Sequence, residues 1–186
     1  MADGLFYNDL REPFIATDIP AVTLATTAKA LYTPSYFPVL GGQYFSRIGK
    51  KLRIELFGRM TTSTIPGNGS FNIYYGTGAD ANGVLLMTGA PVALSISQTS
   101  LSWRMWCEVH CRSTGSAGTL FCVGAAHFNV ALIASTLQPI LLPASLPAVS
   151  GACDLTAANI ISVQYLRSGS TVETMQVHDI KVIALN

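Results

Sequence analysis

The sequence contains few charged residues for its size. Asp, Glu, Lys and Arg make up 11% of its 186 residues, against about 25% in typical soluble domains. Eleven basic and ten acidic residues leave a formal net charge of +1. Such a balance creates no strong overall field that would draw the chain to nucleic acid or to an anionic membrane. We therefore expect neither of these as a partner.

The charges that are present are unevenly distributed. No charged residue lies between Asp80 and Arg104, and none lies between Arg112 and Asp154. A free monomer normally keeps its surface soluble with charges of both signs. Segments this long without charge indicate either a membrane protein or a subunit whose surface is covered by neighbouring copies.

The most apolar stretch does not suit a membrane helix. Residues 130–149 contain three prolines spaced four residues apart, and each proline inside a helix costs about 3 kcal/mol. This spacing predicts an extended, turning connection instead. We therefore expect a subunit that buries one flank against copies of itself, and we predict a homotrimer. The expected contacts are the uncharged strand 118–128 and the proline-rich connection 137–147.

The four cysteines are expected to be reduced thiols. The first residues include acids and lack a basic region before an apolar core, so the sequence predicts no secretory signal. Strand alternation in LSWRMWCEVHCR places Cys107 and Cys111 on the apolar side. Four residues along a strand span about 13 Å, too far for two ligands of one zinc ion. The sequence favours core thiols, with no metal and no cofactor.

Amphipathic helix periodicity is missing from the chain, whereas strand-like alternation recurs. Eight or nine short strands separated by turn residues predict an all-β sandwich or barrel. We divide the chain into an N-terminal arm, residues 1–20, and one β domain, residues 21–186. The PGNG sequence at 66–69 predicts a hairpin turn. Leu120–Phe128 is apolar on both faces, which predicts a central strand.

Alternation also predicts which side chains face the core. In the last segment, Met175 and Val177 have one parity while Ile180 and Val182 have the other, so we predict a β-bulge near 178–179. Elsewhere the predicted inward residues follow a simple two-residue period. They are Leu52, Ile54, Leu56, Phe71, Ile73, Trp103, Met105, Val109, Ile161 and Val163.

Motifs for catalysis are missing or incomplete. Gly76 and Gly78 resemble the start of a dinucleotide-binding turn, but no helix can follow them before the next turn residues. Gly49-Lys50 lacks the first glycine and the Ser or Thr of a phosphate-binding loop. No G-x-S-x-G or H-E-x-x-H sequence occurs. We expect a protein that is not an enzyme.

The remaining signal is a charge asymmetry. Residues 1–20 contain four acids against Arg11, a local charge of −3, and residues 29–59 contain six bases against Glu55, a local charge of +5. The basic segment has three possible roles: a solvated strand face that protects an edge, a docking surface for an acidic protein segment, or a nucleic-acid site. The third is weakened because Phe57 is the only aromatic residue interleaved with the bases of the strand 50–59.

The N-terminal arm mixes aromatic and aliphatic residues with acids. It cannot bury enough surface by itself to offset its ordering entropy, so we expect it to become ordered on a partner. The expected partner-binding residues are the anchors and acids of the arm together with basic residues that an adjacent copy would present. They are Leu5, Phe6, Tyr7, Asp9, Glu12, Phe14, Arg47, Lys51, Arg53 and Arg59.

Three segments resemble virion structural proteins of tailed bacteriophages that have a jelly-roll fold. They are KKLRIELFGRMTTSTIPGNGSFNIYYGT, LSWRMWCEVHCRSTGSAGTLFCVG and DLTAANIISVQYLRSGSTVETMQVHDIKVIALN. The shared pattern is a strand ending in G-x-M/I-x-T, a second strand ending in G-T, a Trp-led strand, and a T-G-S-x-G-T turn. The resemblance covers about residues 47–186.

The resemblance implies a jelly-roll β-sandwich and a binding role without catalysis. Such proteins are similar to capsid decoration, or cement, proteins, which sit as trimers on the head, and to some minor tail proteins. The implied partners are other copies of the chain and the major capsid protein or another virion protein. The implied location is the capsid surface of a virion assembled in the host cytoplasm. The alternative is a minor tail or receptor-binding protein with the same fold.

Overall fold

The protein is an all-β sandwich built from two antiparallel sheets. The computed structural model describes residues 18–133, 139–145, 149–169 and 171–185. A single 3-10 turn, Pro34–Tyr36, interrupts the strands of this part of the chain. The strands are β1 (Val22–Thr23), β2 (Lys29–Ala30), β3 (Lys51–Thr61), β4 (Asn68–Gly76), β5 (Val84–Thr88), β6 (Val92–Ala93), β7 (Leu101–Ser113), β8 (Thr119–Phe128), β9 (Ile140–Leu142), β10 (Ile160–Arg167) and β11 (Thr174–Ala184).

The strand order is that of a jelly-roll sandwich. One sheet has six strands in the order β1-β11-β3-β7-β8-β9, and the other has β2-β10-β4-β5, with β6 also paired to β4. The chain crosses between the sheets six times, after β1, β2, β3, β6, β9 and β10. The core forms between the two layers.

The predicted inward residues all face that core. Each of the ten is at most 2% exposed, so the register predicted from the alternation is correct. Phe71 lies at the centre, with its ring 5.5 Å from Trp103, 5.8 Å from Phe128 and 4.9 Å from Tyr165. Tilted and edge-on contacts of this kind add to the hydrophobic stabilisation of the aromatic rings.

The predicted bulge in β11 is confirmed. The pairing of β11 with β3 shifts between Val177 and Asp179. The extra residue lets Met175 and Val177 on one side of the bulge, and Ile180 and Val182 on the other, all point into the core. Without the bulge, half of this long strand would expose its apolar side chains.

The PGNG hairpin prediction was wrong. β3 belongs to the six-stranded sheet and β4 to the other sheet, so the intervening residues 62–67 cross between the layers. Gly67 packs so closely that a Cβ atom would stand 1.3 Å from the carbonyl oxygen of Ser168. Here glycine permits a close approach of backbones, which the local sequence cannot distinguish from a tight turn.

Some predicted strands are shorter or placed differently. The Thr-rich segment 22–32 forms only the two short strands β1 and β2. β8 is not a central strand, because only the three-residue β9 lies beyond it in the sheet. Its outward side chains Phe121 and Val123 are only partly covered, while its inward Leu120 and Cys122 are buried.

A buried ion pair attaches the N-terminal part of the described chain to the sandwich. Arg167 Nε lies 3.0 Å from Glu173 Oε2, with the two side chains 8% and 0% exposed. Arg167 also donates to the carbonyl oxygen of Leu24, and Ser63 and Thr171 donate to Glu173 Oε1. Burial, together with the negative charge of Glu173, raises the pKa of the Tyr165 phenol.

We predict that Glu173→Gln lowers the free energy of unfolding by about 3–5 kcal/mol, because it leaves the Arg167 charge buried without a counterion. The control is Asp80→Asn, which breaks the exposed Lys29–Asp80 pair and should cost no more than about 1 kcal/mol. Urea unfolding at pH 7 measures both changes. Equal losses of unfolding free energy in the two variants would contradict a stabilising role for the buried Arg167–Glu173 pair.

Candidate interaction surface

Charge in this molecule is concentrated on the solvent side of the six-stranded sheet, which we call the outer face. Six of the ten Lys and Arg residues and three of the seven Asp and Glu residues of the described chain lie there. The cations are Lys51, Arg53, Arg59, Arg104, Arg112 and Lys181, and the carboxylates are Glu55, Glu108 and Asp179. Their positions follow from the alternation of β3, β7 and β11, whose opposite parity fills the core.

The other sheet offers no comparable charged surface. Its outward residues Asn72, Ser162 and Gln164 are uncharged and buried, and the turn at 77–83 is hydrogen-bonded to Gln164. Gln164 accepts from the amide of Ala81 and donates to the carbonyl oxygen of Ala79. The described charges on this side are therefore largely limited to the Lys29–Asp80 pair at the turn.

That pair fixes the turn to β2. Asp80 accepts from Lys29 Nζ at 2.7 Å and from the amide of Ala30 at 2.8 Å. Partial burial would raise the pKa of Asp80, but these two hydrogen bonds outweigh it and lower the pKa below the ordinary value. The carboxylate therefore contributes stability at neutral pH that is lost as the pH falls through its lowered pKa.

Arg53 organises the centre of the outer face. Its Nε lies 2.8 Å from Glu55 Oε1, and its Nη1 lies 3.7 Å from Glu108 Oε1. The guanidinium also stacks over the Trp106 ring, 4.7 Å from the ring centre. These contacts hold the guanidinium in place and partly neutralise its charge.

A cleft lies beside this cluster. It has a volume of about 450 Å³ and runs across β11, β3, β7 and β8. Phe57 lines it and is 46% exposed. Its neighbours on the two adjacent strands are Asp179 on β11 and Arg104 on β7, and Lys181 on β11 also lines the cleft. The described residues provide no ion pair for Arg104 or Lys181, so these two cations remain available to a ligand or partner.

A second group of aromatic residues continues the outer face toward β8. His110 Nε2 lies 3.2 Å from Glu108 Oε2, and its ring is 5.7 Å from that of Phe121. The Arg112 guanidinium stacks over the Phe121 ring, 4.5 Å from the centre of the ring. The outer face thus combines cations, carboxylates and aromatic rings in one layer.

The predicted partner-binding residues are only partly brought together. Lys51, Arg53 and Arg59 share the outer side of β3, whereas Arg47 is exposed in the turn before that strand. Arg53 forms ion pairs with Glu55 and Glu108 of its own sheet, so its charge is less available to an acidic partner than its sequence position suggested. The six predicted residues of the arm, Leu5, Phe6, Tyr7, Asp9, Glu12 and Phe14, lie outside the described residues.

The sequence prediction missed most of the cleft. Arg104 and His127 lie on the consecutive strands β7 and β8, whereas Asp179 and Lys181 lie on β11, about 50 residues further along the chain. Their outward parity was readable from the alternation of each strand. What could not be read was that β7 and β11 lie on either side of β3, because strand order depends on contacts distant in sequence.

An uncharged flank lies at the opposite edge of the outer face. There the edge strands β5 and β9 approach each other, and the amide of Ala144 donates to the carbonyl oxygen of Thr88 at 2.9 Å. Leu85, Leu141 and Val149 remain exposed on this flank, by 43%, 68% and 53%. No Asp, Glu, Lys or Arg occurs in its segments 84–98 and 118–153.

The four cysteines lie inside the sandwich and are buried. The contact with the Cys107 thiol and burial both raise the pKa of the Cys122 thiol, and burial raises that of Cys111. Thiols in this state are protonated and unreactive at neutral pH. Across the described residues, no group of three His, Cys, Asp or Glu side chains is arranged to hold a metal ion.

Comparison with known proteins gives no assignment, since no family model and no curated protein matches the chain. Among the described residues, no helix is long and apolar enough to cross a membrane.

We predict that Arg53→Met exposes Trp106 without unfolding the protein. The stack and ion pairs involve partly exposed groups, so the free energy of unfolding should fall by less than about 1 kcal/mol. Acrylamide should quench tryptophan fluorescence more strongly, since the only other tryptophan, Trp103, is 1% exposed. Arg59→Met is the matched control on the same strand and should leave quenching unchanged. Unchanged quenching in Arg53→Met would show that the stack does not cover Trp106.

Proposed function

We propose that this protein is a non-enzymatic virion structural protein that decorates and stabilises a bacteriophage capsid as a homotrimer. The resemblance of residues 47–186 to phage jelly-roll proteins suggests the class. The observation that carries the proposal is the division of the surface into a charged outer face and an uncharged, apolar flank. A decoration protein needs two such surfaces, one for its own copies and one for contact with other virion components or solvent.

The uncharged flank is the proposed contact between copies. Leu85, Leu141 and Val149 are each exposed in its segments, and exposed apolar surface on a soluble protein favours association. The edges of β5 and β9 also present backbone groups that water or a neighbouring subunit must satisfy. Burying this flank in a closed trimer would remove both the apolar surface and the edges from solvent.

The N-terminal segment is the proposed contact with the shell. Leu5, Phe6 and Tyr7 supply apolar anchors, while Asp9 and Glu12 supply negative charge. Surface ion pairs contribute only about 0–1 kcal/mol each, so the anchors would provide most of the affinity. The partner is the major capsid protein or another virion protein.

A second candidate function is a minor tail or receptor-binding role. It is favoured by the aromatic residues of the outer face, since Phe57 is 46% exposed and Trp106 and Phe121 are partly exposed beside it. Aromatic residues among charged groups are typical of recognition surfaces. Imaging of labelled protein on intact particles distinguishes the two, because a decoration protein covers the head and a receptor-binding protein marks the tail.

We predict that the double variant Leu85→Asp, Leu141→Asp is a folded monomer at micromolar concentration, whereas the unaltered chain is a trimer. Two carboxylates per subunit would have to be desolvated in the proposed contact. The control is Val172→Asp, an exposed apolar position beside β11 at the other side of the six-stranded sheet. Light scattering measures the mass. A monomeric unaltered chain would contradict the trimer, and a trimeric double variant would place the contact elsewhere.

We predict that Phe6→Ala, Tyr7→Ala weakens attachment to particles lacking this protein by tenfold or more, since each anchor that acts as a hot spot contributes about 2 kcal/mol. The matched control is Phe57→Ala, an aromatic truncation on the outer face. Attachment is measured by co-sedimentation with the particles. If Phe57→Ala weakens attachment and the arm variant does not, the outer face rather than the arm meets the particle.

A further inference from the structure

One edge of the six-stranded sheet is open over half the length of β11. β11 pairs with β3 from Thr174 to Ala184, but on its other side it pairs with β1 only at Thr174 and Met175. Within the described residues, no strand pairs with the portion beyond Val177 on that side. An open edge of this kind is a template for another strand.

The backbone groups that face the open edge can be identified from the register. The amide of Leu185 donates to the carbonyl oxygen of Lys51 on β3. Because alternate residues of a strand direct their backbone groups to opposite sides, those of Ile180, Val182 and Ala184 point away from β3. The side chains of these three residues are buried, with at most 6% exposed.

The described chain begins where this edge opens. The amide of Ile19 donates to the carbonyl oxygen of Val177 at 3.0 Å, and Asp18 Oδ1 lies 2.5 Å from His178 Nδ1. Ile19 is 2% exposed. Asp18 and Ile19 therefore lie beside β11, next to its first unpaired group.

The sequence of those residues suits a strand. Phe14, Ile15, Ala16 and Thr17 include two β-branched residues and an aromatic residue, and Pro13 before them cannot donate to a ladder. Ile15 and Thr17 have the same parity as buried Ile19. A strand here would direct Ile15 toward the core and Phe14 toward the outer face.

We propose that residues 14–17 continue β1 along the open edge of β11 in the same chain, with Thr17 opposite Ile180 and Ile15 opposite Val182. The same chain is the favoured donor because it is tethered at Asp18, which gives a local concentration on the order of millimolar. A strand from a second copy would have to displace it.

The proposal divides the N-terminal segment into two functional parts. A strand ending at residue 14 brings Pro13 beside Ala184, which pairs with Leu52 at the start of β3. Residues 1–12 would then leave the sandwich next to Arg47, Lys50 and Lys51, where Asp9 and Glu12 meet opposite charge. This assignment of residues 1–12 to a virion partner rests on the proposed function, whereas the strand itself does not.

Proline substitutions at neighbouring positions test the strand. In the proposed register the amide of Ile15 bonds to β11 and the amide of Ala16 points away, so Ile15→Pro removes a ladder bond and Ala16→Pro does not. Amide hydrogen exchange measured by NMR on the full-length free protein reports the result. We expect the Val182 amide to be protected in the unaltered chain and in Ala16→Pro, and to exchange at least tenfold faster in Ile15→Pro.

Exchange at Ile54 and Cys107, in the β3–β7 pair, serves as the control for folding. Rapid exchange of Val182 in the unaltered chain with those amides protected would overturn the proposal, as would equal effects of the two prolines. Isotope-labelled unaltered chain, mixed and reassembled with unlabelled Ile15→Pro, identifies the donor. Protection that persists in the labelled chain supports the same-chain strand, and protection lost on mixing means that a second copy supplies it.

This measurement is independent of attachment to particles. A protected Val182 amide together with failure to bind particles would retain the strand and contradict the virion role. Rapid exchange of the Val182 amide together with binding to particles would support the virion role and contradict the strand.

Discussion

The pairing of β3 with β7 is the constraint on which the other features depend. Ten consecutive residues pair without a shift, from Lys51 with His110 to Met60 with Leu101. This register directs Ile54 and Cys107 into the core together, and Arg53 and Glu108 to the outer face together. A slip of one residue would place the charged pair in the core, where unpaired charges are strongly destabilising. The apolar core and the charged face are thus two results of one register.

This register also explains how a chain with so little charge remains organised. Nine of the 17 charged side chains of the described residues lie on one face, where Arg53, Glu55 and Glu108 partly neutralise one another, while Arg104 and Lys181 stay available. The flank at β5 and β9 is left without charge. A molecule with one charged side and one apolar edge has a built-in orientation for assembly, because each surface favours a different kind of contact.

Features set by local alternation could be predicted from the sequence, and features set by strand order could not. The inward residues of β3, β4, β7 and β10 followed from a two-residue period, and the bulge at His178 followed from the change of parity within β11. The crossing after β3 was misread as a hairpin, because glycine serves both tight turns and close backbone packing. The cleft around Phe57 and the buried Arg167–Glu173 pair join residues from distant segments, so no local pattern contains them.

Both edges of the six-stranded sheet present backbone groups that lack a strand partner, and the structure offers a different way to cover each edge. At β9, the neighbouring segments carry no charge and expose Leu141 and Val149, so only another apolar surface can cover them. At β11, the first described residues of the chain lie beside the edge. The amide of Ile19 donates to the carbonyl oxygen of Val177, and Arg167 donates to the carbonyl oxygen of Leu24. The buried ion pair therefore does more than stabilise the core, since Arg167 also holds the backbone at Leu24, near the start of the described chain. If the β11 edge is closed within the chain, the β5–β9 flank remains as an exposed apolar edge, the kind of surface that favours contact with another protein surface.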